Sequence, residues 1–547
     1  MTIKYTKEQL NKFDKDLLIE LFLGMQGQME ELSRQTQALN DRMQLMMEQM
    51  VLFQKNHFGR SSEKMTDPEQ IRFMEVDGTI VFFNEAEAVC DLDAPEPDDL
   101  ELKAPKKKKQ PGKKAADIAG LTVKRIDHYL KEEELTAEFG ENGWKQLPDA
   151  ISRCYQFIPA SVVIEEHHIG VYSSKLDEHM IKAPHPRNLL HGSLVSPSFA
   201  AAVINGKYVN AVPLYRLEKE FERYGLAITR QNMANWMIRL GEEYLGTMYD
   251  YLHKLLYDYH VIQADETPVL VNKDGRPAGS QSYMWVYRSG FMYRDRQIIL
   301  YEYQKTRNAS HPREFLRDYT GICVTDGYQV YHTLEKERED LKIAGCWVHC
   351  RRRFNDALEV IPKAHRKESI LHLIMKQIQA IYREEGKLSD FSTEDRLMQR
   401  QLVVKPLVDA FFAYLKQNEP KIPKNGKIRE AFTYALNQES YLKVFLEDGD
   451  VPIDNNASER AIRGFCIGKK NWEMIDTVNG ANSSAIIYSI AETAKANNLK
   501  PFDYFEYLLT EIPKHVDDKN TDFLAELLPW SDMLPENIRK PQKASGK

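Results

Sequence analysis

The sequence predicts a multidomain chain with an N-terminal coiled coil, a helix-turn-helix-like region, and an α/β core followed by a long helical stretch. Three observations carry the prediction. An apolar heptad repeat runs from Leu18 to Phe53, and two short helical patterns meet at Gly225. Short β-branched runs after Tyr259 then give way to helical periodicity from about Lys363 to Leu446. At 547 residues the chain is too long for one hydrophobic core.

Composition narrows the class. Hydrophobic residues make up 42% and charged residues 28%, as in folded globular proteins. No apolar run approaches the ~18 residues of a membrane span. Met1 to Lys15 is polar, without a signal-peptide core. Six scattered cysteines without a CxxC pair argue for a reducing compartment. A cytoplasmic chain with no membrane partner is therefore expected. The net charge of −7 does not exclude nucleic acid, because the basic residues are clustered.

In the first element (residues 15–60), Leu18, Met25, Leu32, Leu39, Met46 and Phe53 recur every seven residues. Phe22, Met29, Thr36, Met43 and Met50 fill the offset of four. A narrow seam flanked by Gln, Glu and Arg predicts a coiled coil, and hence self-association, with Thr36 as a polar layer. A single amphipathic helix packed on its own domain is the other reading. Residues 61–120 pass from acidic Asp93–Glu101 to basic Lys106–Lys114 with several prolines. They are expected to form a flexible linker, whose lysines either touch phosphates or are simply solvated. Residues 121–187 form a small domain, with alternation from Ile151 to Val171 suggesting strands.

Residues 188–250 are helical. Leu214, Leu217, Phe221 and Tyr224 have helical spacing, Gly225 stops that helix, and Thr229 caps the next. The second helix carries Arg230, Gln231, Asn232 and Asn235, residue types that read base edges. Helical hairpins are common, and most bind nothing.

The core is expected to begin with residues 255–362. Strands are predicted at Val261–Gln263, Tyr283–Tyr287, Gln297–Tyr303 and Ile322–Thr325, with a helix from Pro312 to Tyr319. Asp265 and Asp326 each follow a strand, where neighbouring strands can hold ligands a few Å apart. Glu459 falls near the first turn of a helix that Asp454 or Asn455 can cap. Two Asp and a Glu suit two Mg²⁺ or Mn²⁺ ions. Among 81 acidic residues, spacing alone leaves this triad open, since Asp at strand ends also forms turns.

Eight ordered blocks add a resemblance that extends from about His57 to Trp530. They are HFGRSSEK (57–64), PLYRLEKEFERYGLAITRQNMANW (213–236), ADETP (264–268), TDGYQVY (325–331), GCWVHCRRRF (345–354), FLEDGDVPIDNNASERAIRGFCIGKKNW (445–472), YSIAETAKANNLKP (488–501) and LLPW (527–530). In these the chain resembles the insertion-sequence 66 family of bacterial DDE transposases. The resemblance implies an RNase H-like catalytic fold, DNA ends and target DNA as partners, two small accessory proteins, and Asp265, Asp326 and Glu459 as catalytic metal ligands. Residues 363–446 then become a helical insertion between two parts of that core (255–362 and 447–515), with 516–547 as a C-terminal tail.

Cys346 and His349 resemble a C-x-x-H element of insertion-bearing transposases. His349 is either a proton or hydrogen-bond donor to a phosphodiester, and so a catalytic residue, or a satisfied polar residue. Arg351, Arg352 and Arg353, with Arg460, Arg463, Lys469 and Lys470, either neutralise phosphates or are solvated charge. Members of the family usually carry paired zinc-binding cysteines ahead of the helix-turn-helix. Here Ala137–Leu147 and Gly170–His179 contain none, so no zinc is expected. The leading expectation is a transposase performing 3′-end cleavage and strand transfer. Its rivals are an RNase H-like nuclease without strand transfer and a non-catalytic DNA-binding repressor.

Overall fold

The computed structural model describes residues 73–76, 79–82, 129–140, 160–173, 180–184 and 187–541, apart from 278, 291 and 519. The heptad segment lies outside the described residues. The chain divides into two compact units. In the smaller unit, strands β1 (Phe73–Val76) and β2 (Thr79–Phe82) form an antiparallel pair inside the segment expected to be a linker. The helix Glu132–Phe139 also belongs to this unit.

The larger unit holds everything described from residue 160 to residue 540. Strands β3 (Val171–Ser173) and β4 (Met180–Lys182) pair antiparallel and are exposed. The alternation expected from Ile151 thus yields strands only from Val171 onward among the described residues. The helical hairpin forms as its sequence dictates, with α1 (Leu214–Arg223) and α2 (Arg230–Leu240). Gly225 supplies the positive φ, +83°, at the end of α1. Thr229 Oγ1 accepts from the Asn232 N–H at 3.2 Å and caps α2. Leu217, Phe221, Met233 and Met237 join the same continuous apolar core as the sheet, so this hairpin is built into the core's flank.

The sheet is mixed. β5 (Val261–Lys273), β6 (Gln281–Ser289) and β7 (Ile299–Gln304) form an antiparallel meander. β8 (Gly321–Thr325) runs parallel to β5, and β9 (Leu341–Gly345) parallel to β8, giving the order β7-β6-β5-β8-β9. A short β10 (Ile475–Thr477) adds to β5 near Val271 and Lys273. Two expectations are corrected here. Asp265 lies within β5, which runs through Pro268 to Lys273; β8 pairs only with Val261–Gln263, and the open edge beyond tolerates a proline. The helix expected at Pro312–Tyr319 is the shorter Ser310–Phe315.

Alternation along β8 and β9 separates two cores. Cys323 and Ile343 face the first, while Ile322, Val324 and Ala344 face the second. The first core lies under α5 (Val478–Ala496), whose Ser489 and Thr493 hydroxyls accept from the Tyr301 and Ile299 N–H groups at 2.7 and 2.9 Å. Those bonds satisfy an edge strand that would otherwise invite pairing with another chain. The second core belongs to the predominantly helical insertion. It is entered through α3 (Trp347–Val360) and left before α4 (Asn456–Trp472). Between them lie Ile370–Gly386, Thr393–Gln399, Lys405–Asn418 and Lys427–Asn437. Trp347 is fully buried there and donates to the Leu442 carbonyl at 2.8 Å.

Candidate active site

Strand register brings two of the three acids together. Gln263 pairs with Val324 in the parallel β5–β8 ladder. Two residues further along each chain stand Asp265 and Asp326, level with one another where the ladder ends. Asp326 closes a tight turn: its Oδ1 accepts from the Tyr328 N–H at 2.9 Å, and Gly327 has φ +86°. Tyr434 of the insertion donates to the Asp326 carbonyl at 3.0 Å, tying this turn to the second core.

Asn455 brings in the third acid. Its Nδ2 donates to the Ala264 carbonyl at 2.8 Å, its Oδ1 accepts from Gln263 Nε2 at 3.1 Å, and its N–H donates to Cys346 Sγ at 3.2 Å. One buried amide therefore fixes the start of α4 against β5 and the start of α3. Asn455 stands at the N-cap position but its side chain is spent on these bonds. Asp454 instead accepts from the Asn456 N–H at 3.1 Å. Buried Arg288 donates to the Ala457 carbonyl at 3.1 Å and holds the same turn; burial lowers its pKa to about 10. Glu459 follows in that turn.

The electrostatics are those of crowded acids. Burial, then the charges of Glu266 and Asp326, push the Asp265 carboxyl up to about 8, with Glu459 contributing to the rise. Burial and Asp326 push Glu266 up to about 7, although Arg307 opposes the rise. Arg307 Nε donates to Glu266 Oε1 at 2.7 Å, a second guanidinium nitrogen lies 3.9 Å from Asp326, and the guanidinium stacks on Tyr328 at 3.8 Å. Glu459 is held low, first by His349, whose Nε2 is 3.3 Å from Oε1, with Arg352 3.7 Å from Oε2. The His349 contact is close but lacks hydrogen-bond alignment, and Glu459 Oε1 is a buried oxygen without a hydrogen-bond partner. Asp265 and Asp326, with Glu459 whose buried Oε1 is orphaned, offer the hard oxygen donors that divalent cations take.

The other expected residues are placed as follows. Arg230, Gln231, Asn232 and Asn235 are exposed on α2. Arg230 also lies over the Tyr215 ring at 5.8 Å. Arg352 and Arg353 of α3, with Arg460, Arg463 and Lys470 of α4, are exposed, and Arg351 is half-buried. Arg353 stacks on Tyr434 at 4.4 Å. Lys469 is half-buried and donates to the Pro268 carbonyl at 2.5 Å, so it ties α4 to β5. Glu266, Arg307 and Arg288 escaped the sequence reading, and Asn455 entered it only as a possible helix cap. Glu266 beside Asp265 in ADETP and Asn455 within IDNNASER were in view there, but nothing local marks Arg307 or Arg288.

Comparison with known sequences agrees with this architecture. The profile described as "Transposase IS66 family" matches residues 192–483, and "IS66 C-terminal element" matches 489–530. "Transposase C of IS166 homeodomain" matches 45–126. The chain belongs to the IS66 transposase family. It is multidomain, with a homeodomain-like N-terminal region, which overlaps the segment expected to be a linker, and a mixed α/β core with a helical fraction. Relatives include the uncharacterized protein y4qI of Sinorhizobium fredii (strain NBRC 101917 / NGR234), 28% identical over 66% of this chain and 67% of that protein. The uncharacterized protein y4jD of the same strain is 24% identical over 76% of this chain and 82% of its own length. Among the described residues no helix is long and apolar enough to cross a membrane.

Proposed function

We propose that this chain is a DNA transposase that cleaves and joins phosphodiesters at Asp265, Asp326 and Glu459, in a core of RNase H-like topology. The observation that carries the reading is the register placing Asp265 level with Asp326, with Asn455 bringing the helix of Glu459 onto the same strand. The sheet order and the meander-then-parallel topology support the fold assignment. Transposases of the DDE type generally use divalent metal ions, and these three side chains would hold two Mg²⁺ or Mn²⁺. The chemistry such ions supply is activation of a water or 3′-hydroxyl and stabilisation of the leaving oxygen.

The chain's own residues do the rest. Arg307 pairs with Glu266 and so offsets the charge of a fourth carboxylate beside the proposed ligands. Asn455 and Arg288 fix the α4 turn that carries Glu459 towards the two aspartates. His349 faces the site as a hydrogen-bond donor to a phosphate oxygen. Arg351, Arg352, Arg460, Arg463 and Lys470 neutralise backbone phosphates, and the exposed face of α2 reads base edges through Arg230, Gln231, Asn232 and Asn235. Self-association through the heptad segment pairs two DNA ends.

The test uses the purified full chain and an oligonucleotide duplex carrying the element's end, with Mg²⁺ or Mn²⁺. Wild type should yield a free 3′-hydroxyl and joined products. Asp326→Asn and Glu459→Gln should still shift the duplex on a gel but lose cleavage by at least a hundredfold. Cleavage near the wild-type rate in either variant would overturn the assignment, and cleavage without joining would make the chain a nuclease.

A further inference from the structure

We infer that Cys346, His349 and Glu459 form a second, softer metal site that takes Zn²⁺ and withdraws Glu459 from the catalytic constellation. The regulatory half rests on the role proposed above for Glu459; the binding half stands on the side chains alone. Cys346 Sγ, a His349 ring nitrogen and a Glu459 carboxylate oxygen all lie within 4.8 Å of one another. Among the described residues no other three such side chains gather this closely. Ligands about 2.0–2.3 Å from a tetrahedral zinc stand about 3.5–4 Å apart, so side-chain rotations of about 1 Å close the site.

Local structure explains why these donors converge. Cys346 occupies the N-cap position of α3 and His349 its first turn, three residues on, so both point along one helix face. Glu459 sits in the first turn of α4. Two helix N-termini therefore meet at the cluster, and both favour the anionic thiolate and carboxylate. The Asn455 N–H already donates to Cys346 Sγ at 3.2 Å, an outer bond that orients the sulfur. Arg352 approaches Oε2 of Glu459, leaving the orphaned Oε1 for a metal. Cys346 is buried, whereas the His349 and Glu459 side chains are 24% and 23% exposed, which opens an entry path.

Sulfur, nitrogen and oxygen donors with an open fourth position suit Zn²⁺, and a thiolate selects against Mg²⁺. This site is separate from the family's zinc-binding cysteines, whose positions here lack cysteine. Zinc bound here and divalent ions bound at the three acids compete for the same Glu459 carboxylate.

The experiment titrates the full chain with Co²⁺ as a spectroscopic probe, then displaces it with Zn²⁺. Wild type should bind one equivalent with a thiolate-to-cobalt charge-transfer band, and Cys350→Ser should keep that band. Cys346→Ser should lose it, and His349→Gln should weaken binding at least tenfold. Circular dichroism melting checks the fold of each variant, and His349→Gln decides the matter if Cys346→Ser fails to fold. No band in wild type, or the same band in folded Cys346→Ser, overturns the site. In parallel, Zn²⁺ is added to Mg²⁺-driven cleavage, each protein referred to its own rate without zinc. Inhibition at least tenfold more sensitive in wild type than in Cys346→Ser is expected. Equal sensitivity overturns the regulatory half. A cobalt band in a protein that cleaves nothing keeps the site and fails the transposase reading instead.

Discussion

Asp265→Asn should make the metal-free protein more stable while destroying its activity. Burial and the surrounding carboxylates raise the Asp265 pKa from an ordinary 3.8 to about 8. The folded chain therefore holds a proton that the unfolded chain releases. Its contribution to stability is fully present below pH 3.8, is lost as pH rises towards 8, and is flat above that. Each pH unit between 3.8 and 7 costs about 1.36 kcal/mol, so at pH 7 the penalty is about 4 kcal/mol. Asparagine carries no proton to release and removes it. For a body of some 380 residues, with unfolding entropy of roughly 2 cal/mol/K per residue, this is a rise of about 5 °C in Tm. The assay is thermal unfolding of full-length wild type and Asp265→Asn in excess chelator at pH 4.5, 7 and 8.5. The gap between the curves should be smallest at pH 4.5, about 1 kcal/mol, and widest at pH 8.5. Saturating Mg²⁺ should raise the wild-type Tm and leave the variant unmoved. A variant that melts at or below wild type at pH 8.5 would refute the buried-charge reasoning.

Other perturbations test the supports of the site. Arg307→Gln strands the nearly buried Glu266 carboxylate and should cost about 2 kcal/mol, after allowing for the exposure of Arg307; urea midpoints should show Glu266→Gln restoring the loss in the double variant. Gly327→Ala would set a Cβ 2.9 Å from the Tyr434 hydroxyl at φ +86°. It should lower cleavage at least tenfold, whereas Gly275→Ala, at φ +85° with nothing within 4 Å, measures the backbone cost alone. Leu32→Asp with Leu39→Asp puts charge into the heptad seam, and light scattering should then report a smaller species that binds one DNA end but forms no paired-end complex. An unchanged mass would make that segment an intrachain helix.

What the sequence made legible was local. Asp265 and Asp326 stood out because each comes just past an expected strand, and α1 and α2 because Gly225 and Thr229 punctuate them. The length of β5 was hidden by Pro268, whose meaning depends on where β8 stops pairing. β9 went unseen because LKIAG is short and has no flanking turn signal. α5 is buried nearly all round by small residues, so it has little amphipathic signature to read. Arg288, Arg307 and Asn455 act through partners that are in two cases more than 150 positions away, and no periodicity encodes such pairings. The blocks that carry the family resemblance supplied what periodicity did not.

The Asn455 bridge also imposes an order on the making of this protein. Both aspartates and their shared ladder leave the ribosome early, but Glu459 follows Asp326 by 133 residues. At about 5–20 residues per second that is a delay of roughly 7 to 27 s, most of it spent synthesising the insertion. Until the helix after Asn455 docks against Gln263 and Ala264, the chain has two-thirds of its acids and nothing to complete them. On the proposed assignment of the three acids, a nascent polypeptide that has not yet reached Glu459 lacks the third of them and should not cut DNA.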